Sequence, residues 1–111
     1  KLFLAHNNTG GHSLIENNLR AIKVKTTNLA TFIVKNRIKR INFLKMDIEG
    51  KEYDVIVNLE ANLLKKIDKI ALEYHQLSKR QIIKQHLEKN NFKVIFKSFP
   101  FSQTGILYAR K

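Results

Sequence analysis

Two apolar runs with one helical segment between them set the architecture of this chain. Ile41 to Met46 (INFLKM) is mostly apolar and stops at Asp47, and Lys69 to His75 (KIALEYH) is a second such run. The first reads as a strand buried on both faces, the kind found in parallel sheets. A tight turn ends at Gly50, and a helix from Glu52 to Leu59 follows, with Val55, Ile56 and Leu59 inward. Leu63, Leu64 and Ile67 extend the apolar pattern after a break near Asn62. Strand, helix and strand in this order make a right-handed βαβ unit.

The flanks add to the same sheet. Leu2 to Ala5 and the alternating Ala21 to Thr26 are short strands able to pair as a hairpin around NNTGGHS, Asn7 to Ser13. Thr27 or Asn28 caps a helix whose stripe is Leu29, Phe32 and Ile33 and which fades near Asn36. Ser78 and Gln81 form an S-x-x-Q capping box. The helix they open carries Ile82, Ile83, His86 and Leu87 on one face and ends at Asn90–Asn91. Phe92 to Phe99, a turn from Pro100 to Gly105, and Ile106 to Arg110 form an antiparallel hairpin. The expected class is α/β. Strands 41–47 and 69–75 should be adjacent and parallel, with the last strand antiparallel beside 69–75.

Composition removes several chemistries. There is no cysteine, hence no disulfide framework, thiol nucleophile or Cys-based zinc site. No apolar run approaches the roughly 20 residues of a membrane span, and no signal peptide is visible, which fits a cytoplasmic protein. The first residue is Lys1, so the sequence is expected to begin inside a longer protein. Lys plus Arg is 21 and Asp plus Glu is 9, giving +12. A polyanion partner would explain this charge, but the lysines are spread along the chain without a nucleic-acid-binding signature. Frequent Lys, Asn and Ile suggest AT-rich codon usage as an equal source.

Ligands of open α/β sheets sit beyond the carboxyl ends of the strands. Two strands here end in polar groups: Asp47 with Glu49 in the next turn, and Glu73 with His75. On neighbouring strands these three carboxylates and one imidazole meet at one rim, where they suit general-base work or a hard metal ion. The plainer alternative is that Asp47 and Glu49 cap the following helix, whose N-terminus favours anions. His6 and His12 flank the glycine loop, and such histidines are mostly solvated. His86 reads as a satisfied, half-buried residue. Tyr53, Tyr74, Phe92 and Phe96 read as core, whereas Phe99 and Phe101 around Pro100 are placed to line a substrate mouth.

LKMDIEGKEYDVI, Leu44 to Ile56, resembles the L-K-[IM]-D-[IV]-E-G-x-E-x-x-[VI]-[LI] signature of the FkbM-type S-adenosylmethionine-dependent methyltransferases. VKTTNLATFI upstream, KIALEYH downstream and the closing G-I-L-Y-A resemble further segments of that family, and NNTGGHSL resembles its Gly/Ser loop. The resemblance implies the C-terminal half of a Rossmann-like class I methyltransferase sheet, with parallel core strands ending in an antiparallel hairpin. It places residues 1–111 in a single partial domain. It implies S-adenosylmethionine as cofactor and, as acceptor, a hydroxyl on a sugar, glycan, lipid or natural product. Lys45, Asp47, Glu49, Gly50, Glu52, Glu73 and His75 fall on motif positions. Asp47, Glu49 and His75 are then the catalytic candidates. Glu73, His12 and Ser13 are the substrate-binding candidates, and Lys45 and Asp47 the residues nearest the cofactor. No metal ligand set is assigned, although Glu49 and Glu73 suit an optional ion.

Two departures stand out. Asn28-Leu29-Ala30 replaces the family's T-L-D, so a carboxylate is absent at Ala30. The Gly-rich cofactor turn is absent as well, since the only glycines are Gly10, Gly11, Gly50 and Gly105 and no G-x-G occurs. S-adenosylmethionine is therefore expected to be bound mainly by a missing N-terminal half, and this stretch alone to be inactive. Two alternatives use other features: a basic nucleic-acid or polyanion-binding module, and a metal-dependent nuclease using Glu49 and Lys51. The nuclease also needs an Asp on an earlier strand, and none precedes Asp47.

Overall fold

The computed structural model describes Leu2, Phe3 and residues 21–111. The loop with His6, Gly10, Gly11, His12 and Ser13 lies outside the described residues. β1 (Leu2–Phe3) pairs antiparallel with β2 (Ala21–Ile22), as the hairpin reading expected. Then follow α1 (Leu29–Lys35), β3 (Leu44–Met46), α2 (Glu52–Val57) and α3 (Ala61–Leu64). β4 (Lys69–Tyr74), α4 (Leu77–Lys89), β5 (Lys93–Ser98) and β6 (Gly105–Arg110) complete the chain.

The main sheet has the order β3-β4-β6-β5. β3 and β4 run parallel, with Met46 opposite Leu72. β6 lies antiparallel between β4 and β5, pairing Tyr74 with Gly105 and Ser98 with Gly105. The expected neighbours and directions are all present. The β5–β6 turn consequently stands at the same end of the sheet as the carboxyl end of β4.

Alternation along the strands builds the core. Ile70, Leu72 and Tyr74 of β4 and Leu107 and Ala109 of β6 point to one face, where they meet Ile56 of α2 and Ile83 and Leu87 of α4. Burying each aliphatic side chain contributes about 1.5–3 kcal/mol. Tyr74 brings a hydroxyl into this core and satisfies it on Ser98 Oγ at 2.9 Å, while Arg80 donates to the same Oγ at 3.0 Å. Phe96 meets the Tyr74 ring edge-on, with centroids 5.8 Å apart. These contacts fasten α4 to both β4 and β5.

The opposite face is open among the described residues. Phe43, Ile95 and Tyr108 are 58%, 67% and 41% exposed. This corrects the reading of 41–46 as a strand buried on both faces: Met46 is buried and Leu44 half-buried, while Phe43 and Lys45 face outward. The strand is also shorter than expected, because Ile41 forms a separate parallel bridge with Ile67.

Local chemistry explains the other differences. Asn28 caps α1 as expected, its Oδ1 accepting from Thr31 N at 2.7 Å, but Phe32 is 48% exposed and Ile33 carries the contact. The break after α2 falls at Asn58–Glu60, and Asn62 lies inside α3. The S-x-x-Q box is not used: α4 starts at Leu77, with Gln76 as an extended N-cap, so Ser78 sits within the first turn. On α4, Ile82 is 46% exposed, and His86 buries an Nε2 with no hydrogen-bond partner, unlike the satisfied histidine expected. At the C-terminus, Lys111 Nζ donates to the carbonyls of Leu64 and Lys65 and lies 5.0 Å from the Phe92 ring centre. Burial pushes its pKa down, and Lys65 adds to the shift against the opposing pull of Asp68.

Candidate active site

The site is built on the turn between β3 and α2. β3 ends at Met46, so Asp47 is the first residue beyond the strand. Glu49 adopts φ 54° and Gly50 φ 98°. The left-handed region suits Gly50, whereas at Glu49 it carries a steric cost. What holds the turn is Glu52, the first residue of α2, which is only 2% exposed. Its carboxylate accepts from Ile48 N at 3.0 Å and from Gly50 N at 3.1 Å. It also bonds His75 Nδ1 at 3.0 Å. A carboxylate only accepts, so this contact assigns the Nδ1 proton to His75 and turns Nε2 outward.

That Nε2 faces two further carboxylates. Glu49 Oε2 lies 3.5 Å away and Asp47 Oδ1 4.0 Å away. The three ligand atoms of Asp47, Glu49 and His75 all lie within 4.8 Å of one another. Asp47 Oδ2 is turned to Lys45 Nζ at 3.5 Å. The residues are graded by access: the side chains of Asp47, Glu49 and His75 are 34%, 36% and 18% exposed, and that of Glu52 3%. The outer pair can meet a ligand, while the inner pair holds the shape.

The rim thus gathers three carboxylates and an imidazole, as expected, but the third carboxylate at the imidazole is Glu52. Glu73 lies on β4, between the inward Leu72 and Tyr74, and takes no part in the cluster among the described residues. A signal for Glu52 was present in the sequence. Glu52, Ile56 and Leu59 fall at i, i+4 and i+7, which places a carboxylate on the buried stripe of a helix. Lys51 pairs with Asp54 at 3.0 Å and holds the Asp54 carboxyl below its ordinary value by that hydrogen bond. The Lys51 ammonium of the nuclease alternative is thus engaged with Asp54.

A cavity of about 450 Å³ adjoins the rim, lined by Asn28, Leu29, Phe32, Lys45, Asp47 and Val55 among others. A larger hollow of about 630 Å³ lies on the open face near Lys69 and Arg110. It sits at the amino end of β4, away from the carboxyl ends where such sheets place their ligands. Phe99 and Phe101 are exposed in the β5–β6 turn, two strands from Asp47, and line neither hollow.

The profile of the methyltransferase FkbM domain matches residues 2–95. The chain belongs to the FkbM methyltransferase family. No curated protein and no solved structure matches it. The FkbM match runs from β1 into β5 and includes the whole Asp47–Glu49–Glu52–His75 constellation. Family membership makes this a methyltransferase domain, and members in general use S-adenosylmethionine. No helix among the described residues is long and apolar enough to cross a membrane.

Proposed function

We propose that the chain forms the acceptor side of an S-adenosylmethionine-dependent O-methyltransferase. The reading is supported above all by one observation: proton acceptors from two adjacent parallel strands converge on one rim inside a methyltransferase domain. S-adenosylmethionine, when bound, supplies a methyl group on a cationic sulfur. A rim dominated by carboxylates suits a neighbouring cation, so the donor set fits that group in charge. The glycines near this site do not fit the cofactor's Gly-rich turn. Gly50 serves the β3–α2 turn and Gly105 is packed against Tyr74, so we assign the main cofactor contacts to other segments.

The chain's own residues deal with the acceptor. A hydroxyl entering the rim meets Asp47 and Glu49 as hydrogen-bond acceptors, and these orient its oxygen. When an acceptor oxygen is methylated there, its proton would pass to a carboxylate oxygen of Asp47 or Glu49. His75 stays aligned because Glu52 holds Nδ1, the role an orienting carboxylate plays in general-base sites. Glu73, one residue beyond the Met46–Leu72 pair on β4, is proposed to contact the substrate at the edge of the site. A sugar, glycan, lipid or natural-product hydroxyl meets the same chemical requirement.

The test follows release of S-adenosylhomocysteine by the protein across a panel of such hydroxyl acceptors. Asp47→Asn and Glu49→Gln should each lower kcat/KM by roughly a hundredfold or more, within the usual range for acid–base groups. Their melting temperatures should match that of the parent, since neither side chain caps α2, whose N-cap is Lys51, and both are about a third exposed. Parental turnover in both variants would reduce the D-x-E-G turn to scaffolding.

A further inference from the structure

The rim brings three side chains of ligand type together. Asp47, Glu49 and His75 each offer an electron-pair donor atom, and these atoms lie within 4.8 Å of one another. With Nδ1 committed to Glu52, Nε2 turns its remaining position toward two carboxylates at 3.5 and 4.0 Å. Both distances exceed an ordinary N–H···O hydrogen bond of about 2.9 Å. Lys45 is engaged with Asp47 Oδ2, on the other side of that carboxylate.

The 3.5 Å between Glu49 Oε2 and His75 Nε2 suits a different occupant, with Asp47 Oδ1 standing slightly farther out at 4.0 Å. A tetrahedral ion with bonds of about 2.1 Å holds its ligand atoms about 3.4 Å apart. Behind the set stands Glu52, 3% exposed, bonded to the far nitrogen of the histidine. Metal-binding histidines characteristically donate their second N–H to such a carboxylate, which fixes the ring and raises its basicity. The cluster therefore combines one imidazole nitrogen, two carboxylate oxygens and an independently built supporting shell. Partial exposure of Asp47 and Glu49 leaves room for further ligands.

We propose that Asp47, Glu49 and His75 form a binding site for one divalent first-row transition-metal ion, with Glu52 as the positioning residue behind His75. One nitrogen and two oxygens suit ions from Mn²⁺ to Zn²⁺ better than Mg²⁺ or Ca²⁺, which favour all-oxygen sets. Its use in catalysis rests on the methyltransferase reading: the ion would draw the acceptor hydroxyl to the rim and ease loss of its proton. Binding of the ion does not depend on that reading.

The test is a titration of the chelator-treated full chain with Co²⁺, followed by its visible absorption. One saturable equivalent is expected. Glu49→Gln and Asp47→Asn, checked by circular dichroism for unchanged fold, should each weaken binding roughly tenfold or more. Both variants lie at partly exposed positions, so folding does not confound them. No saturable Co²⁺ absorption in the parent chain overturns the proposal, and so does parental affinity in both variants. Saturable Co²⁺ binding together with a rate of S-adenosylhomocysteine release that the ion does not change would leave the site standing and overturn its catalytic use alone.

Discussion

Two turns stand at the same end of one sheet and are held in opposite ways. The β3–α2 turn has Glu49 and Gly50 at positive φ, and the β5–β6 turn has Phe101 at φ 57°. The first is tied down by a buried carboxylate that gathers two backbone N–H groups and a histidine from the neighbouring strand. The second is held by local hydroxyl contacts, Ser102 Oγ with Thr104 Oγ1 at 2.9 Å and Thr104 N at 3.0 Å. Phe101 at its tip is fully exposed. Positive φ alone therefore does not mark a functional turn. What separates the two is whether the strained residue is braced by buried groups from other parts of the chain.

The sharpest way to break this comparison is to remove the brace. Glu52→Gln keeps the side chain's size but offers one acceptor oxygen where two served three donors. Its amide also adds donors that face donors. Leaving a buried group unpaired costs about 1–3 kcal/mol, and disrupting a buried charged contact more, so a loss of about 3 kcal/mol is expected in urea unfolding. Ser102→Ala, in the other turn, should cost less than about 1 kcal/mol. Equal losses would mean that Glu52 is no more a brace than Ser102.

The next effect distinguishes the tip of the β5–β6 turn from its base. A Cβ on Gly105 would collide with the Tyr74 hydroxyl, and would lie 2.6 Å from Tyr74 Cζ and 2.8 Å from the Lys97 carbonyl. Tyr74 is 1% exposed and its hydroxyl bonds Ser98, so it has little room to retreat. Gly105→Ala should therefore lower stability by about 1–3 kcal/mol in the same urea assay. A neutral result would show that the hairpin base gives way as easily as its tip.

The frame of this molecule was legible because period and direction are local properties. Apolar runs at 41–46 and 69–75 with a helical stripe between them imply a parallel pair, and the parallel pair is present. The closing hairpin followed from two strand-like runs around Pro100 and Gly105. What escaped was of another kind. Burial on both faces was inferred from the composition of INFLKM, but a strand's second face is decided by whatever packs there, and Phe43 is exposed. The S-x-x-Q pattern at Ser78 met its spacing rule, yet β4 hands over to α4 at Gln76 without using it. At the rim, Asp47, Glu49 and His75 were readable from strand ends. Glu52 was readable as a motif position and as a carboxylate on the buried stripe of its helix, but its bracing role was not, because that role depends on two backbone N–H groups and a histidine from the next strand.

The smallest effect is also the most direct comparison of the two turns. Glu49 and Phe101 both hold φ values that L-residues other than Asn and Asp seldom adopt. Replacing either by glycine removes a steric cost in the folded state and adds backbone freedom in the unfolded state. The two contributions partly cancel, so Glu49→Gly and Phe101→Gly should each gain about 0.5–1 kcal/mol at most. Similar stability changes are thus expected from chemically different residues. Activity should separate them. Phe101 touches neither hollow, so its variant should release S-adenosylhomocysteine at the parental rate. Glu49 supplies one of the three rim atoms facing His75, so its variant should gain stability while losing roughly a hundredfold in kcat/KM. That opposite movement is what strain held for function produces. Loss of stability on Glu49→Gly would show instead that the carboxylate holds the turn together, and its left-handed backbone would then need no functional reason.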